Sequence, residues 1–328
     1  MDANSSLRQE GFRMVARRHR ISMIGIAGDS GAGKSTYAAA LQELLGVDRV
    51  TVLTLDDYHS LDRDERNAIG VTALNPWKAN NLGLLIDHLW ALRHGKPIIK
   101  PTYDHTTGRF GPMEEIVPTD IVILEGLHTL YLEKLREALD LRIYFDTDNE
   151  LRVRWKVRRD SGARGYTPEE VLNEIERRRP DVMRYIEPQK AFADLVIHYM
   201  PDKTLPPTPE YPEPVRVVFA ERLRRNKRIL VKWLALGARL GLIHAEHVHD
   251  IVEGEEMEVA SLWGTTQQSA LQSLVEMVSD SQLFHEHITR LGKKLDYDPI
   301  GVSRILVASM ILLLDRNFHH DEQMLHQL

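Results

Sequence analysis

The segment 28–36, GDSGAGKST, constrains the fold of this chain more than any other stretch. An apolar run at 21–27 precedes it and a helix-forming run at 37–45 follows it, so the order predicts a strand, a glycine-rich turn and a helix. Glycines permit backbone conformations in which successive N–H groups converge on one anion, and the positive end of the following helix dipole points at the same place. We therefore predict a nucleotide phosphate site at this turn.

The side chains of the turn have separate predicted tasks. Lys34 supplies a point charge for the outer phosphates, and the hydroxyl of Ser35 is placed to ligate a magnesium ion. A surface loop that matches the pattern by chance is the alternative, which the flanking strand and helix disfavour. The predicted ATP-binding residues are Gly28, Asp29, Ser30, Gly31, Ala32, Gly33, Lys34, Ser35 and Thr36.

The composition is that of a globular enzyme. The 328 residues are 43% hydrophobic and 27% charged, and the net charge of −6 argues against non-specific binding of nucleic acid. The chain contains no cysteine, which excludes disulfides and a thiol switch and fits a reducing cytoplasm. No apolar run approaches the ~18 residues of a membrane span, and the basic segment 13–20 lacks the apolar core of a signal peptide.

Acidic residues follow two of the predicted strands. The strand at 50–55 is followed by Asp56 and Asp57, and the apolar strand that starts at Ile121 runs into Glu125. The carboxyl ends of parallel strands are where ligands bind in doubly wound sheets. We therefore expect Asp56 to take the proton of an attacking hydroxyl, Asp57 to assist or orient it, and Glu125 to reach magnesium directly or through water. The alternative for all three acids is a helix cap or a turn.

Two polar stretches lie between these acids. The segment 60–66 contains Arg63 and Arg66, which are typical of a solvated loop but also suit a substrate that carries its own phosphate. The segment 96–105 contains two prolines and many polar groups, a composition found in edge strands and in active-site flaps.

A basic helix is predicted at 149–164. Arg152, Lys156 and Arg159 share one face of it, and a solvated surface is the ordinary explanation for such a run. Acidic residues are sparse before Glu169, so the basic side chains of this helix would repel one another. We therefore favour a mobile lid that closes on nucleotide phosphates, whose negative charge offsets this repulsion.

The domain organisation follows from a proline-rich connector at 201–214, the only plausible boundary. We predict an α/β kinase domain at 1–200, with a doubly wound, mostly parallel sheet of the P-loop NTPase type. A C-terminal strand-plus-helix extension at 215–328 would serve dimerisation or regulation.

Within that extension, the sequence predicts a strand at 215–219 and helices at 269–278 and 302–314. The segment 229–242 is ambiguous, because apolar residues surround it on every side. The run 305–314 is apolar enough for a buried or an interface helix, so we take it as the candidate contact of a homodimer.

Seven stretches in order carry a family resemblance: GDSGAGKST, LDDYHSLDR, GVTALNP, KPTYDHTTG, LEGLH, WKVRRDSGARGY and YIEPQKAFADLVI. With them the first two hundred residues resemble phosphoribulokinases of the plant, cyanobacterial and archaeal type, within the P-loop uridine kinase superfamily. The resemblance implies transfer of the γ-phosphate of ATP to the C1 hydroxyl of ribulose 5-phosphate. Beyond residue 201 the likeness thins to a general strand-then-helix order.

The resemblance also implies roles for single residues. Asp56 would be the base, Ser35 and Glu125 would hold magnesium, and Asp160 would assist at the metal or the phosphates. The residues implied to face the sugar phosphate are His59, Arg63, Tyr103 and His105, and we predict Asp57 as a further substrate-binding residue. The residues implied to clamp the transferring group or the ATP phosphates are Lys34, Lys156, Arg159 and Arg164.

Two rival functions remain open. A uridine or cytidine kinase shares the loop, the aspartate and the lid, but a nucleoside pocket needs a stacking surface for a base, whereas His59, Arg63 and Arg66 suit a phosphorylated substrate. A non-catalytic nucleotide sensor has no need of a base such as Asp56.

The chain departs from the photosynthetic members at Ala32 and Thr54, where those members carry cysteines. Thioredoxin switching is therefore chemically impossible in this chain, which puts redox-dependent scaffold control in doubt and favours a bacterial or archaeal source. We predict the same kinase activity after oxidant or dithiol treatment, provided methionine oxidation is avoided. Activity across a dithiothreitol redox titration is the measurement, and a reversible loss on oxidation would contradict the prediction.

Overall fold

The computed structural model describes residues 20–208, 212–222, 230–252, 255–278 and 297–314. The basic segment 13–20 lies outside these residues, apart from Arg20. The strands are β1 (Ser22–Gly28), β2 (Val50–Thr54), β3 (Ile98–Lys100), β4 (Tyr103–Asp104), β5 (Arg109–Phe110), β6 (Glu114–Ile116), β7 (Ile121–Gly126), β8 (Leu141–Thr147), β9 (Leu195–Pro201), β10 (Val215–Arg222), β11 (His244–Val252) and β12 (Glu255–Trp263). The α-helices are α1 (Lys34–Leu45), α2 (Arg63–Ala68), α3 (Leu82–Arg93), α4 (Glu133–Glu137), α5 (Asn149–Ala163), α6 (Pro168–Asp181), α7 (Leu230–Arg239), α8 (Gln268–Val278) and α9 (Pro299–Leu314).

The central element is an eight-stranded sheet in the order β11-β12-β10-β9-β8-β1-β7-β2. The strands from β2 to β9 in that order pair in parallel, whereas β10, β12 and β11 pair antiparallel at one end. Parallel strands are joined by crossover helices that cover both faces of the sheet. The expected doubly wound, mostly parallel α/β fold is therefore confirmed.

Each face of the sheet has its own hydrophobic core. Along β1, Ile24 and Ile26 point into the core that contains α1, α7, α8 and α9, whereas Met23 and Ala27 point into the core that contains α3 and α4. This alternation is the period of two that a strand imposes. Both faces of β1 are therefore buried, which explains why its sequence is apolar after Ser22.

The sheet continues across the proline-rich connector. β10 pairs antiparallel with β9, and the hairpin β11–β12 extends the same sheet beyond β10. Residues of both the N-terminal and the C-terminal segments share the core that contains α1 and α9. The division at 201–214 into folding units stays a prediction.

Several element boundaries differ from the sequence-based expectations. The second strand ends at Thr54, because a short 3₁₀ turn, Leu55–Tyr58, carries Asp56 away from the sheet edge. The ambiguous segment 229–242 contains the helix Leu230–Arg239. The hairpin β11–β12 was not predicted, since its polar alternation resembles a solvated segment. The segment 96–105 forms strands of two small two-stranded sheets, β3–β6 and β4–β5.

The apolar helix α9 is buried inside this chain. Residues from Val302 to Leu312 are buried except Arg304, and they pack in the core with α1 and β10. The run 305–314 is therefore a core helix and does not offer a free apolar face, so its proposed role as a subunit contact was wrong. The homodimer itself stays a prediction. Among the described residues, no helix has the length and apolarity to span a membrane.

Truncation of Leu306 in α9 tests this burial. Leu306 is fully buried, so Leu306→Ala should lower the free energy of unfolding by about 2–5 kcal/mol through lost transfer energy and a residual cavity. Leu240, which is 49% exposed, provides the matched control, and Leu240→Ala should stay within about 0.5 kcal/mol. Urea unfolding of both variants is the measurement, and equal effects would contradict the core assignment.

Candidate active site

One cavity of about 960 Å³ lies at the carboxyl edge of the parallel strands, between the phosphate loop, the 3₁₀ turn after β2 and helices α5 and α6. Most of the residues predicted for the site line it. They are Ser30, Gly31, Gly33, Lys34, Ser35, Thr36, Asp56, Asp57, His59, Arg63, Tyr103, His105, Glu125, Lys156, Arg159, Asp160 and Arg164. Three predicted residues, Gly28, Asp29 and Ala32, are not part of its lining.

The phosphate loop is shaped by its glycines. Gly28 has φ 147°, and a β-carbon there would lie 2.5 Å from the carbonyl oxygen of Phe145 on the neighbouring strand. Gly31 has φ 84°, and its β-carbon would lie 3.0 Å from that of Lys156 in α5. Both positions therefore require glycine, which lets the loop pack closely between the sheet and α5. Gly28 thus shapes the loop without lining the cavity.

Lys34 is buried at the base of the cavity, and its Nζ donates to the carbonyl oxygen of Asp29 at 2.8 Å. Burial lowers the pKa of Lys34, while the charges of Glu125, Asp29 and Asp56 act in the opposite direction. A phosphate group in the cavity would supply a further counter-charge to this cation.

The carboxylate of Glu125 is held by two hydroxyl groups. Ser35 Oγ donates to Glu125 Oε1 at 3.1 Å, and Thr54 Oγ1 donates to the same oxygen at 2.9 Å. Burial raises the pKa of Glu125, and Lys34 and the two hydroxyls oppose that rise. Hard oxygen atoms such as these suit Mg²⁺, which takes one or two carboxylates together with substrate phosphates. The described residues include no group of three or more metal-binding side chains.

Asp56 lies between two histidines. Its Oδ2 is 2.9 Å from His105 Nε2, and its Oδ1 is 4.0 Å from His59 Nε2. Burial acts to raise the pKa of Asp56, but the hydrogen bond from His105 and the charges of the histidines and Lys34 outweigh it and hold the pKa well below its ordinary value. Asp56 is therefore an ionised carboxylate at neutral pH, with 31% of its side chain exposed in the cavity.

Asp57 has both oxygens occupied by the protein. Oδ2 pairs with Lys100 Nζ at 2.6 Å, and Oδ1 accepts from the backbone N–H of Tyr103 at 2.8 Å. Through these two contacts the carboxylate holds β3 and β4 against the 3₁₀ turn. This placement disfavours the substrate contact that the sequence suggested and supports an orienting role for Asp57.

The two arginines of α2 have different surroundings. Arg66 is buried, and its Nη2 donates to the hydroxyl of Tyr103 at 2.9 Å, so it supports the wall of the cavity. Arg63 is half-buried, lines the cavity and donates to the carbonyl oxygen of His105 at 2.5 Å. The ring of Tyr103 packs edge-on against both His59 and His105. Both arginines line the cavity, but only Arg63 keeps a partly exposed side chain there.

The basic helix α5 contains its own counter-charge. Asp160 accepts from Lys156 at 2.8 Å and from Arg159 at 2.8 Å, and Arg164 lies 3.3 Å away. Arg152, on the same helix face, pairs with Asp29 at 2.5 Å. The two aspartates thus already reduce the repulsion within this helix, and the mobile lid that closes on nucleotide phosphates stays a prediction. Arg159 Nη2 nevertheless remains buried without a hydrogen-bond partner among the described residues.

Comparison with known proteins agrees with this arrangement. The model of the Phosphoribulokinase / Uridine kinase family matches residues 23–206, more than half of the chain. The chain belongs to this family. A phosphoribulokinase of Synechocystis sp. is 46% identical over 192 residues, which cover 58% of this chain and 58% of that relative. The chloroplastic phosphoribulokinase of Triticum aestivum is 41% identical over 225 residues, which cover 61% of this chain and 55% of that relative.

More distant members of the family also match. A uridine kinase of Deinococcus deserti is 38% identical over 178 residues, 53% of this chain and 86% of that protein. A solved phosphoribulokinase from Rhodobacter spheroides superposes with a TM-score of 0.54 and 19% identity over 88% of this chain and 99% of that structure, a likeness that shows the fold alone. The chain spans less than three-fifths of the length of the two phosphoribulokinases above.

The cavity of this family member also contains residues that sequence reasoning missed. α9 contributes Ile300 and Arg304, and Trp155 and Tyr199 line the cavity beside them. No local pattern indicates Ile300 and Arg304, since only the folded chain brings α9, more than a hundred residues after α5 in sequence, to the same cavity.

Asp160 gives a prediction for stability. The hydrogen bonds from Arg159 and Lys156 outweigh burial and lower the pKa of Asp160 from 3.8 to about 2, which stabilises the folded state by roughly 2 kcal/mol at neutral pH. Asp160→Asn should therefore lower the free energy of unfolding by about that amount at pH 7. Because the folded pKa is depressed, this contribution is present above pH ~4 and is lost as the pH falls towards ~2.

Urea unfolding at pH 7 and at decreasing pH measures this effect. The matched control is Glu176→Gln on α6, since Glu176 is 71% exposed and lies 3.7 Å from Arg179. That surface pair should contribute less than about 1 kcal/mol. A penalty for Asp160→Asn no larger than that of the control would contradict the assignment of Asp160 as the counter-charge of α5.

Proposed function

We propose that this chain transfers the γ-phosphate of ATP to the C1 hydroxyl of ribulose 5-phosphate, giving ribulose 1,5-bisphosphate and ADP. The observation that carries the proposal is the position of the ionised Asp56 in the same cavity as Lys34 and the phosphate loop. A nucleotide sensor needs no carboxylate there, whereas phosphoryl transfer to a hydroxyl needs a proton acceptor.

The proposed reaction involves the following changes of bonds and the following protein groups. The C1 oxygen of the sugar forms a bond to the γ-phosphorus, the bond from that phosphorus to the β–γ bridging oxygen breaks, and ADP leaves. The proton of the C1 hydroxyl passes to Asp56, whose pKa is held low, so that the carboxylate is ionised before the substrate binds. His105, at 2.9 Å from Asp56, fixes the orientation of that carboxylate.

The transferring phosphoryl group carries negative charge that cations must stabilise. Lys34, Lys156, Arg159 and Arg164 line the cavity around the phosphate loop and are proposed to fill this role. Ser35 and Glu125 are proposed to hold Mg²⁺, which neutralises charge on the β- and γ-phosphates when it is bound. Asp160 then acts as a positioning residue, because its carboxylate holds three of the cations together.

The acceptor is proposed to be a sugar phosphate for an electrostatic reason. Arg63 lies in the cavity, 5.8 Å from the ring centre of Tyr166, and no carboxylate among the described residues forms a salt bridge with it in this structure. Such a guanidinium is suited to the 5-phosphate of the sugar. The phosphoribulokinases of Synechocystis sp. and Triticum aestivum, at 46% and 41% identity, are also more similar in sequence than the uridine kinase of Deinococcus deserti, at 38%. Uridine or cytidine kinase activity is the alternative.

A coupled ADP-release assay tests the proposed reaction. Ribulose 5-phosphate, uridine and a reaction without acceptor are compared in parallel. Sugar-phosphate-dependent release of ADP supports the proposal, whereas release that depends on uridine establishes the alternative. ADP release that is equal in all three reactions would show hydrolysis and would overturn both.

Replacement of Asp56 tests the proton acceptor. Asp56→Asn should lower turnover by about 10²–10⁴-fold, the range typical of general-base loss, while ATP binding stays near normal. Steady-state turnover and calorimetric ATP binding are the measurements. The matched control is Asp64→Asn, since Asp64 is 74% exposed on α2, and its turnover should be unchanged. Wild-type turnover in Asp56→Asn would remove Asp56 from the mechanism.

Replacement of Arg63 tests the contact with the sugar phosphate. A charge-assisted hydrogen bond contributes about 1.5–3 kcal/mol, so Arg63→Ala should raise the KM for ribulose 5-phosphate roughly ten- to hundredfold and leave the KM for ATP nearly constant. Arg109→Ala is the matched control, because Arg109 is 69% exposed on the neighbouring β5. Equal losses for both substrates would show that Arg63 shapes the site as a whole.

A further inference from the structure

The cavity continues past the phosphate loop towards the C-terminal helix α9. Its lining there comes from Trp155 of α5, Tyr199 of β9 and Ile300 and Arg304 of α9. None of these four side chains has a role in the transfer step described above. The family model ends at residue 206, so the two residues of α9 lie outside the part of the chain that it matches.

The two aromatic rings border the phosphate loop directly. A β-carbon at Gly33 would lie 3.7 Å from the ring of Tyr199 and 3.9 Å from the ring of Trp155. The rings pack edge to face, with centroids 5.9 Å apart, and Trp155 Nε1 donates to Glu213 at 3.1 Å. This end of the cavity thus has a fixed, largely apolar wall.

The helix α9 is joined to the start of α1 at the same place. Ser303 Oγ lies 3.4 Å from the hydroxyl of Tyr37, the residue that follows Thr36 of the phosphate loop. Arg304 is next in sequence, and its positive charge acts on the buried hydroxyls of Tyr37 and Tyr199. Arg304 is therefore placed beside the first turn of α1.

Arg304 lacks a full set of partners in the described part of the chain. Its Nε is buried and has no hydrogen-bond acceptor there. A buried donor without an acceptor costs free energy, of the order of 1–3 kcal/mol. Because Arg304 also lines the cavity, a ligand with acceptor atoms in this part of the cavity would meet donors of its guanidinium group.

The place of the nucleoside in the cavity follows from the proposed position of the γ-phosphate. The γ-phosphate is proposed to lie beside Glu125, Asp56 and Lys34, so the nucleoside needs a part of the cavity that these three residues do not line. We propose that Trp155 and Arg304 form the subsite for the nucleoside of the phosphate donor. The ring of Trp155 offers an apolar surface to the base, and the guanidinium of Arg304 donates to its ring nitrogens or to the ribose oxygens. The C-terminal segment thereby completes the nucleotide site.

This inference rests on the proposed function only for the presence of a nucleotide donor, and its test uses no sugar. Calorimetry compares the binding of ADP with that of inorganic tripolyphosphate, which has the phosphates but no nucleoside. Arg304→Met should weaken ADP binding about tenfold or more and change tripolyphosphate binding less than twofold. Trp155→Leu should show the same selective loss. Arg239→Met, at an exposed position at the end of α7, is the matched control and should change neither.

The outcomes separate the two proposals. An ADP-selective loss in either variant supports the nucleoside subsite, including the case in which the other variant fails to fold. The proposal is overturned if no folded variant shows an ADP-selective loss, that is, if ADP binding is unchanged or falls equally with tripolyphosphate binding. The calorimetry contains no sugar acceptor, so its result does not depend on whether ribulose 5-phosphate is the true acceptor.

Discussion

The buried ammonium group of Lys34 is the charge around which the site is arranged. Burial of a cation is costly unless partners compensate for the lost water, and here the carbonyl of Asp29 and the carboxylates of Glu125 and Asp56 do so. Those partners come from the phosphate loop, from β7 and from the turn after β2, whose carboxyl ends meet at one edge of the sheet. The parallel register thus determines which carboxylates lie close enough to interact with the charge of Lys34.

Other acids hold the walls of the cavity in place. Asp57 fixes Lys100 and the backbone of Tyr103, while Asp160 gathers Lys156, Arg159 and Arg164. Both carboxylates are nearly buried, so their partners cannot be removed without leaving an uncompensated charge. These contacts hold the cations of the cavity in fixed positions, which would reduce the reorganisation needed during the proposed transfer.

Much of this arrangement could be predicted from the sequence, because its signals are local. The glycine-rich turn after an apolar strand predicts the phosphate loop, and acids at strand ends predict a shared edge, so residues such as Asp56 and Glu125 do line one cavity with Lys34. The fold class follows from the same alternation of strands and helices. The roles of these residues remain proposals.

The remaining features depend on contacts that local patterns do not encode. Neighbouring aspartates 56 and 57 look equivalent in sequence and both line the cavity, yet only the fold shows that the oxygens of Asp57 are occupied by Lys100 and the backbone of Tyr103. The apolar run in α9 is equally compatible with an interface and a core, and its burial against α1 decides between them. Arg304 has no motif at all, since its place beside the phosphate loop arises from packing across the whole sheet.

The cavity is proposed to direct the γ-phosphate to a sugar hydroxyl rather than to water. Phosphorus NMR of a reaction containing ATP, Mg²⁺ and ribulose 5-phosphate distinguishes these two acceptors. We expect a second sugar phosphomonoester resonance that grows in step with ADP, with little inorganic phosphate. Growth of inorganic phosphate in step with ADP, without a new sugar phosphate, would contradict it.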